Sequence, residues 1–252
     1  MNRRCFVLVL AGVRALARPD SRPPELKGKG WRALLDGRDT SGWHSRDGKP
    51  HTWYTASDVR VDPAGPRALL SGSGPAGPIM INGPNGRTTD FLTDEKFGDI
   101  ELYLEFLIAP KSNSGVYVQG LYEVQILDSY GVATPGIHDC GAIYERWIDN
   151  KGVGGTAPST NASRKPGEWQ SFHIWFRTPR FNPEGKKIRD AYFERVILNG
   201  VTIHERVAAP GPTRASLDDP EATRGPLMLQ GDHGPVAFRR IFVRPLTNNP
   251  RE

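Results

Sequence analysis

The stretch Tyr122-Glu123-Val124-Gln125-Ile126-Leu127-Asp128 combines the alternation of a β-strand with two carboxylates and an amide. Side chains alternate between the two faces of a strand, so Glu123 and Gln125 should point to one side and their apolar neighbours to the other. Asp128 would join the Glu123 face if a β-bulge added one residue after Ile126, a device often found beside active sites. The stretch therefore predicts a cleft wall with two acids flanking an amide, an arrangement suited to sugar chemistry.

The rest of the chain supports an all-β fold. Twenty-eight glycines and 22 prolines separate many short β-rich segments, and no long segment has the 3.6-residue period of a helix. The segments predicted as strands are Trp53–Val61, Arg67–Ser71, Phe91–Thr93, Asp99–Ile108, Ser114–Gln119, Tyr122–Leu127, Gly141–Tyr144, Trp169–Arg177, Ala191–Leu198, Val201–Arg206, Leu227–Gln230 and Phe238–Pro245. This spacing is typical of a β-sandwich or barrel.

Two turns set the pairing of neighbouring strands. Asn199-Gly200 lies between two β-branched segments and predicts a hairpin with a type I′ turn. Gln119-Gly120-Leu121-Tyr122 predicts a second tight connection, which would pair Ser114–Gln119 antiparallel to Tyr122–Leu127. Two long irregular segments, residues 145–168 and 207–226, interrupt the pattern, and loops of this length in a compact domain are more often functional or mobile than neutral.

The N-terminus has the pattern of a secretory signal. Met1-Asn2-Arg3-Arg4 is basic, an apolar segment follows from Cys5 to Val13, and Ala15-Leu16-Ala17 fits a cleavage site. We expect cleavage after Ala17, a linker over residues 18–30 and one folded domain over residues 31–247. The predicted location is therefore outside the cell or in the periplasm. No segment reaches the ~20 apolar residues that a transmembrane helix needs.

Charge and cysteine content exclude several classes of function. Cleavage would remove three arginines, which lowers the formal net charge from +5 to +2, so the basic composition makes no case for nucleic-acid binding. Cys140 would be the single remaining cysteine, which forms no internal disulfide and supplies no thiolate cluster. The sequence has no P-loop, GxGxxG or GxSxG motif, so nucleotide and serine-hydrolase chemistry are unsupported.

Several separate motifs occur in an order that resembles the 3-keto-disaccharide hydrolase family. The resemblance extends from about Trp31 to Leu246 and is carried by Asn113-Ser114-Gly115-Val116-Tyr117, Tyr122–Asp128, Gly141-Ala142-Ile143-Tyr144, Gly167-Glu168-Trp169, Asn199-Gly200 and Leu229-Gln230-Gly231-Asp232-His233-Gly234-Pro235-Val236-Ala237-Phe238-Arg239. It implies a concanavalin A-like lectin/glucanase jelly roll, a β-sandwich of two antiparallel sheets. It also implies a carbohydrate substrate, a glycoside already oxidised at C3 and cleaved by hydrolysis or elimination.

The same fold includes glucanases whose strand carries Glu-x-Asp-x-x-Glu, where this chain has Glu123-x-Gln125-x-x-Asp128. An amide replaces the middle acid, and the last acid is one methylene shorter. Both departures weigh against a retaining glycosidase, which needs two carboxyl groups ~5 Å apart. A ketone at C3 acidifies the hydrogen on C2, so Glu123 or Asp128 could instead act as a base and expel the group on C1.

The developing enolate oxygen needs a hydrogen-bond donor, a cation or a metal. We predict His233 as a catalytic partner beside Glu123 and Asp128, and Arg239 as a second cation. A divalent metal held by Glu, Asp and His side chains from several strands is a further possibility, with no ligand set indicated. The predicted substrate-binding residues are Glu105, Asn113, Tyr117, Gln119, Gln125, Tyr144, Trp169 and Arg239.

Each of these residues also has a structural explanation. Glu123, Asp128 and Glu105 could lie on a solvated strand face or pair with arginine, and Arg239 could form a structural salt bridge. Most tryptophans belong to the core, so Trp169 could serve packing alone. Two other functions remain open on this fold: hydrolysis of an unmodified β-glucan, and carbohydrate binding without turnover.

Overall fold

The computed structural model describes residues 23, 26–72, 74–83 and 85–247. The predicted signal peptide, its cleavage after Ala17 and most of the predicted linker lie outside these residues. The described residues form a short 3-10 turn at Arg46–Gly48 and nineteen strands: β1 Arg32–Ala33, β2 Trp43–Ser45, β3 Tyr54–Ala56, β4 Val59–Val61, β5 Leu69–Ser71, β6 Ile79–Ile81, β7 Phe91–Phe97, β8 Ile100–Ile108, β9 Asn113–Val118, β10 Tyr122–Leu127, β11 Arg146–Ile148, β12 Lys151–Val153, β13 Gln170–Arg177, β14 Arg180–Phe181, β15 Lys187–Arg189, β16 Ala191–Leu198, β17 Val201–Ala209, β18 Gly225–Leu229 and β19 Val236–Pro245.

Two antiparallel sheets form a jelly-roll sandwich, as the sequence predicted. The larger sheet has eight strands in the order β17-β16-β13-β8-β19-β6-β3, with β1 added beside β19. The smaller sheet has five strands in the order β10-β9-β18-β7-β2. Three two-stranded hairpins, β4–β5, β11–β12 and β14–β15, lie outside both sheets. Within the described residues, no helix has the length and apolar content needed to cross a membrane.

The core lies between the two sheets and follows the alternation of the strands. Leu102, Leu104 and Phe106 of β8 pack there, whereas Glu101 and Glu105 belong to the opposite face of the larger sheet. Apolar side chains of β9 and β10 fill the core from the smaller sheet, namely Val116, Val118, Tyr122, Val124 and Ile126. The alternate residues of β9 and β10 therefore lie on the outer face of the smaller sheet.

The predicted connections are largely confirmed. β10 spans the predicted Tyr122–Leu127 and pairs antiparallel with β9, and Asn199-Gly200 joins β16 to β17 with a positive φ at both residues. Two strand predictions were wrong. Gly141–Tyr144 forms isolated bridges through Ile143, and Trp53–Val61 divides into β3 and β4, which pair with different partners.

Candidate active site

A polar pocket opens on the outer face of the smaller sheet, where β9 and β10 lie side by side. Glu123 faces Tyr117 across the two strands, and Gln125 faces Gly115. Both β10 side chains point into the pocket, as the alternation predicted. The pocket has a volume of about 210 Å³ and is lined by Asn113, Tyr117, Glu123, Gln125, Tyr144, Arg214, Ala215, Gln230 and His233.

Gly115 leaves the space that the Glu123 carboxylate occupies. A Cβ atom at residue 115 would lie 2.3 Å from Oε1 of Glu123 and 3.0 Å from the Tyr117 ring. Such a contact is far inside van der Waals distance, so any larger residue would displace the carboxylate. The motif Asn113-Ser114-Gly115 thus ends in glycine because the Glu123 carboxylate occupies the space of a side chain at residue 115.

Glu123 is a buried carboxyl group with a strongly perturbed pKa. Its residue is only 2% exposed. Burial raises the pKa of Glu123 to about 8, the Tyr117 hydroxyl opposes this rise, and the negative charges of Asp90 and Asp232 add to it. With this pKa, the protonated form of Glu123 predominates at pH 7. A carboxyl group that titrates near neutral pH can both accept and return a proton.

A loop over residues 213–217 forms the rim of the pocket beside Glu123. Thr213 anchors it, because its backbone NH donates to the Leu121 carbonyl oxygen and its hydroxyl accepts from the Glu123 backbone NH at 3.1 Å. The Tyr117 hydroxyl donates to the Arg214 carbonyl oxygen at 3.3 Å. Part of the long irregular segment 207–226 is therefore fixed to the sheet and shapes the pocket.

His233 approaches the pocket from a loop that a buried asparagine holds in place. The Asn82 side chain donates to the carbonyl oxygens of Gly231 and Gly234 and accepts from the Val236 backbone NH. The ring of His233 hydrogen-bonds through Nδ1 to Asp232, and this bond raises the pKa of His233 against the effect of burial. The imidazole is about half exposed, so it can reach a ligand with its other nitrogen.

Two buried amide groups line the pocket without a partner for their oxygens. Oε1 of Gln125 and Oε1 of Gln230 lack a hydrogen-bond partner among the described residues. An unpaired buried acceptor costs free energy, and such groups are usually satisfied by a ligand or water. Gln230 was not predicted as a site residue, although it stands in the motif Leu229–Arg239 that carries the family resemblance.

Arg214 brings a cation that the sequence did not predict. Its guanidinium lies 3.9 Å from the ring centre of Trp147, which belongs to the hairpin β11–β12 and is 45% exposed. Among the described residues, the side chain of Arg214 has no acidic partner and no hydrogen bond. No local motif marks Arg214, because its position depends on a loop that crosses the sheet from 90 residues away in sequence.

Asp128 and Gln119 lie away from this pocket. β9 and β10 pair without a register shift, so the bulge expected after Ile126 was wrong. Asp128 instead accepts a hydrogen bond at 2.9 Å from the backbone NH of Lys111, whose φ is positive. Gln119 lies in the turn after β9 and donates to the Ala222 carbonyl oxygen. The structure thus brings neither side chain to Glu123.

Glu105, Arg239 and Trp169 form a separate cluster on the larger sheet. Glu105 accepts from Nε of Arg239 at 2.6 Å and from Arg240 at 3.1 Å. The Arg239 guanidinium lies 4.0 Å from the ring centre of Trp169. Because Glu105 lies on the face of β8 opposite the core, the sandwich separates this cluster from Glu123. The predicted site is therefore divided, with Asn113, Tyr117, Gln125, Tyr144 and His233 beside Glu123.

Metal binding stays an open prediction. Among the residues that the structure describes, no group of three or more histidine, cysteine, aspartate or glutamate side chains is arranged to hold a metal ion. Besides the Glu123 carboxylate, this pocket could offer a cation the side-chain oxygens of Gln125 and Gln230.

Comparison with known proteins places the chain in a family. Residues 30–244 match the 3-keto-alpha-glucoside-1,2-lyase-like domain. The chain belongs to this family. The match covers most of the chain and includes the β9–β10 pair, the rim loop and the His233 loop. No curated protein sequence matches the chain.

Three crystal structures from Parabacteroides distasonis, each named as a "putative glycosyl hydrolase", have similar folds. The first is 28% identical with a TM-score of 0.61, over 86% of this chain and 84% of that one. The other two are 17% and 20% identical, with TM-scores of 0.55 and 0.53 over 86% of this chain and 94% and 100% of theirs. At that level of identity these two show the fold alone.

Proposed function

We propose that this protein is an enzyme that cleaves 3-keto-glycosides, with Glu123 as the base that removes the hydrogen on C2. The observation that carries the proposal is the Glu123 carboxyl group, buried at the floor of a small polar pocket with its pKa raised to about 8. The membership of the family and the fold shared with the glycosyl hydrolases support a sugar substrate.

The elimination uses one base and one acid. The Glu123 carboxylate takes the proton from C2, and the electron pair of the C2–H bond moves toward the C3 oxygen to give an enolate. The pair then returns to form the C1=C2 double bond as the C1–O bond breaks. The departing oxygen takes its proton from the His233 imidazolium, whose pKa is raised by the hydrogen bond to Asp232. The products are a free alcohol and a 1,2-unsaturated 3-keto sugar. Addition of water to the double bond would complete a hydrolysis.

The negative charge that develops on the C3 oxygen needs an electrophile. Arg239, the cation expected from the sequence, lies on the opposite sheet. Arg214 takes this role in our proposal, because it lines the pocket and has no acidic partner among the described residues. The amides of Asn113, Gln125 and Gln230 supply hydrogen bonds to the ring hydroxyls.

The test is incubation with a 3-keto-disaccharide, with products followed by mass. We expect the wild type to cleave it and the Glu123→Gln variant to lose at least about a hundredfold in kcat, as is typical when a general base is removed. Deuterium on C2 should slow the wild-type reaction, because that bond breaks in the elimination. The matched control is Glu168→Gln, which changes an exposed glutamate outside the pocket and should retain full activity.

Three results would contradict the proposal. Full activity in Glu123→Gln would remove this residue from the mechanism. Cleavage of an unmodified β-glucan but not of the keto-sugar would indicate an ordinary glucanase. Binding of the keto-sugar without any turnover would indicate a carbohydrate-binding module.

Secretion is part of the proposal and rests on the sequence alone. The basic start, apolar segment and Ala15-Leu16-Ala17 support export and cleavage after Ala17, with the domain over residues 31–247 acting outside the cell or in the periplasm. N-terminal sequencing of the exported protein would test the cleavage position.

A further inference from the structure

A second basin adjoins the pocket of Glu123, and we propose that it binds the leaving group of the substrate, a hydroxylated sugar rather than an apolar aglycone. This inference rests on the proposed function. The basin has a volume of about 610 Å³ and is lined by Arg46, Asp47, Lys49, Pro50, His51, Thr52, Arg87, Thr88, Thr89, Asp90 and Asp232.

Two connections join the lining of the basin to that of the pocket. Arg46 lines the basin and donates to the carbonyl oxygens of Ala215 and Ser216 on the pocket rim, at 3.1 and 2.9 Å. Asp232 lines the basin, and its neighbour His233 lines the pocket. A ligand that fills both sites would therefore pass close to Asp232 and His233.

The position of His233 gives the two sites their order along the substrate. The oxidised ring must lie against Glu123, because the base has to reach C2. His233 lines the pocket and its neighbour Asp232 lines the basin, so a substrate that spans both sites would pass its glycosidic oxygen beside the acid that protonates it. The leaving group continues into the basin of Arg46 and Asp90.

The charges of the basin favour a neutral polar ligand. Arg46 is paired with Asp90 at 3.1 Å, and Lys49 is paired with Asp47 at 3.1 Å. Arg87 donates to the Asp232 carbonyl oxygen and retains further donors that face solvent. The lining thus has three cations and three carboxylates. Balanced donors and acceptors suit the hydroxyl groups of a sugar, whereas an apolar group would leave them unpaired.

The test compares two substrates that share the oxidised ring. One is a 3-keto-disaccharide, and the other is an aryl 3-keto-glucoside, whose leaving group is apolar. We expect Lys49→Ala/Arg87→Ala to lower kcat/KM for the disaccharide about tenfold, as for the loss of one or two hydrogen bonds, and to change the aryl substrate less than about twofold. The control variant Lys186→Ala/Arg189→Ala removes the same charge at the hairpin β14–β15 and should leave both substrates unaffected.

Three other results would overturn the inference, and each would do so for a different reason. Equal losses for both substrates would mean that the two cations act on the chemistry or on folding rather than on the leaving group. No loss for either substrate would mean that the sugar leaves in another direction. If the wild type cleaves neither substrate, the proposed function itself fails, and the assignment of the basin fails with it.

Discussion

Glu123 combines a chemical advantage with a cost in stability. Burial holds its pKa at about 8 in the folded chain, whereas the ordinary value of 4.5 applies when the chain is unfolded. Between these two values the folded protein keeps a proton that the unfolded chain releases. The contribution of this group to stability is therefore fully present below pH 4.5 and is lost progressively as the pH rises to 8.

This linkage gives a prediction that does not depend on the substrate. The Glu123→Gln variant cannot ionise, so we expect it to be more stable than the wild type at pH 9, by up to roughly 5 kcal/mol, with little difference at pH 4.5. Urea unfolding at both values of pH would measure the free energies of unfolding. The Glu168→Gln control should follow the wild type at both. A wild-type advantage over Glu123→Gln at pH 9 would contradict the raised pKa.

At the scale of the element, the pair β9–β10 builds the site through register. Gly115 lies opposite Gln125, two pairs along from Glu123 and Tyr117, so the glycine and the carboxylate share one side of the sheet. Most of this was predictable, because strand alternation and the tight turn after residue 119 fix which side chains share a face.

The Gly115→Ala variant tests whether the strand pair β9–β10 positions the Glu123 carboxylate. The added Cβ would lie 2.3 Å from Oε1 of Glu123, so we expect the carboxylate to move and kcat to fall by about tenfold or more, as misplacement of a reacting group predicts. Gly136→Ala is the matched control, because its Cβ would meet no atom closer than 3.6 Å. Kinetics with the 3-keto-disaccharide measure the effect, and unchanged kcat in Gly115→Ala would show that the carboxylate position is not critical.

Other features depended on contacts that no local pattern encodes. Arg214 and the rim loop reach the pocket through hydrogen bonds to Leu121 and Glu123, which are distant in sequence. The Asp128 prediction required a bulge that β9 and β10 lack, and a single inserted residue leaves no clear signal in the alternation. The sequence could therefore predict the face of a strand but not which loop covers it.

At the scale of the whole molecule, the two outer faces of the sandwich carry different polar clusters. On the smaller sheet Glu123 lines a pocket in which no cation of the described residues forms an ion pair with it. The larger sheet holds its buried acids in ion pairs. Glu101 accepts from Arg244 at 2.6 Å and from His173 at 2.8 Å, and Glu105 is held between Arg239 and Arg240. The charges of these two acids are balanced by their partners, and few of their oxygen lone pairs remain free to accept a hydrogen bond from a substrate.

The Glu105→Ala variant should lose stability but keep its affinity for the substrate, because residue 105 lies on the larger sheet and the pocket of Glu123 on the smaller one. Removing a buried carboxylate leaves two arginines without their acceptor, and because both are partly exposed to water we expect a loss of about 2 kcal/mol in the free energy of unfolding. KM for the 3-keto-disaccharide should stay at the wild-type value at a temperature where both proteins are folded, because the sandwich core separates residue 105 from Glu123. Urea unfolding and steady-state kinetics give the two readings. A raised KM without a loss of stability would return Glu105 and Arg239 to the substrate-binding role that the sequence predicted for them.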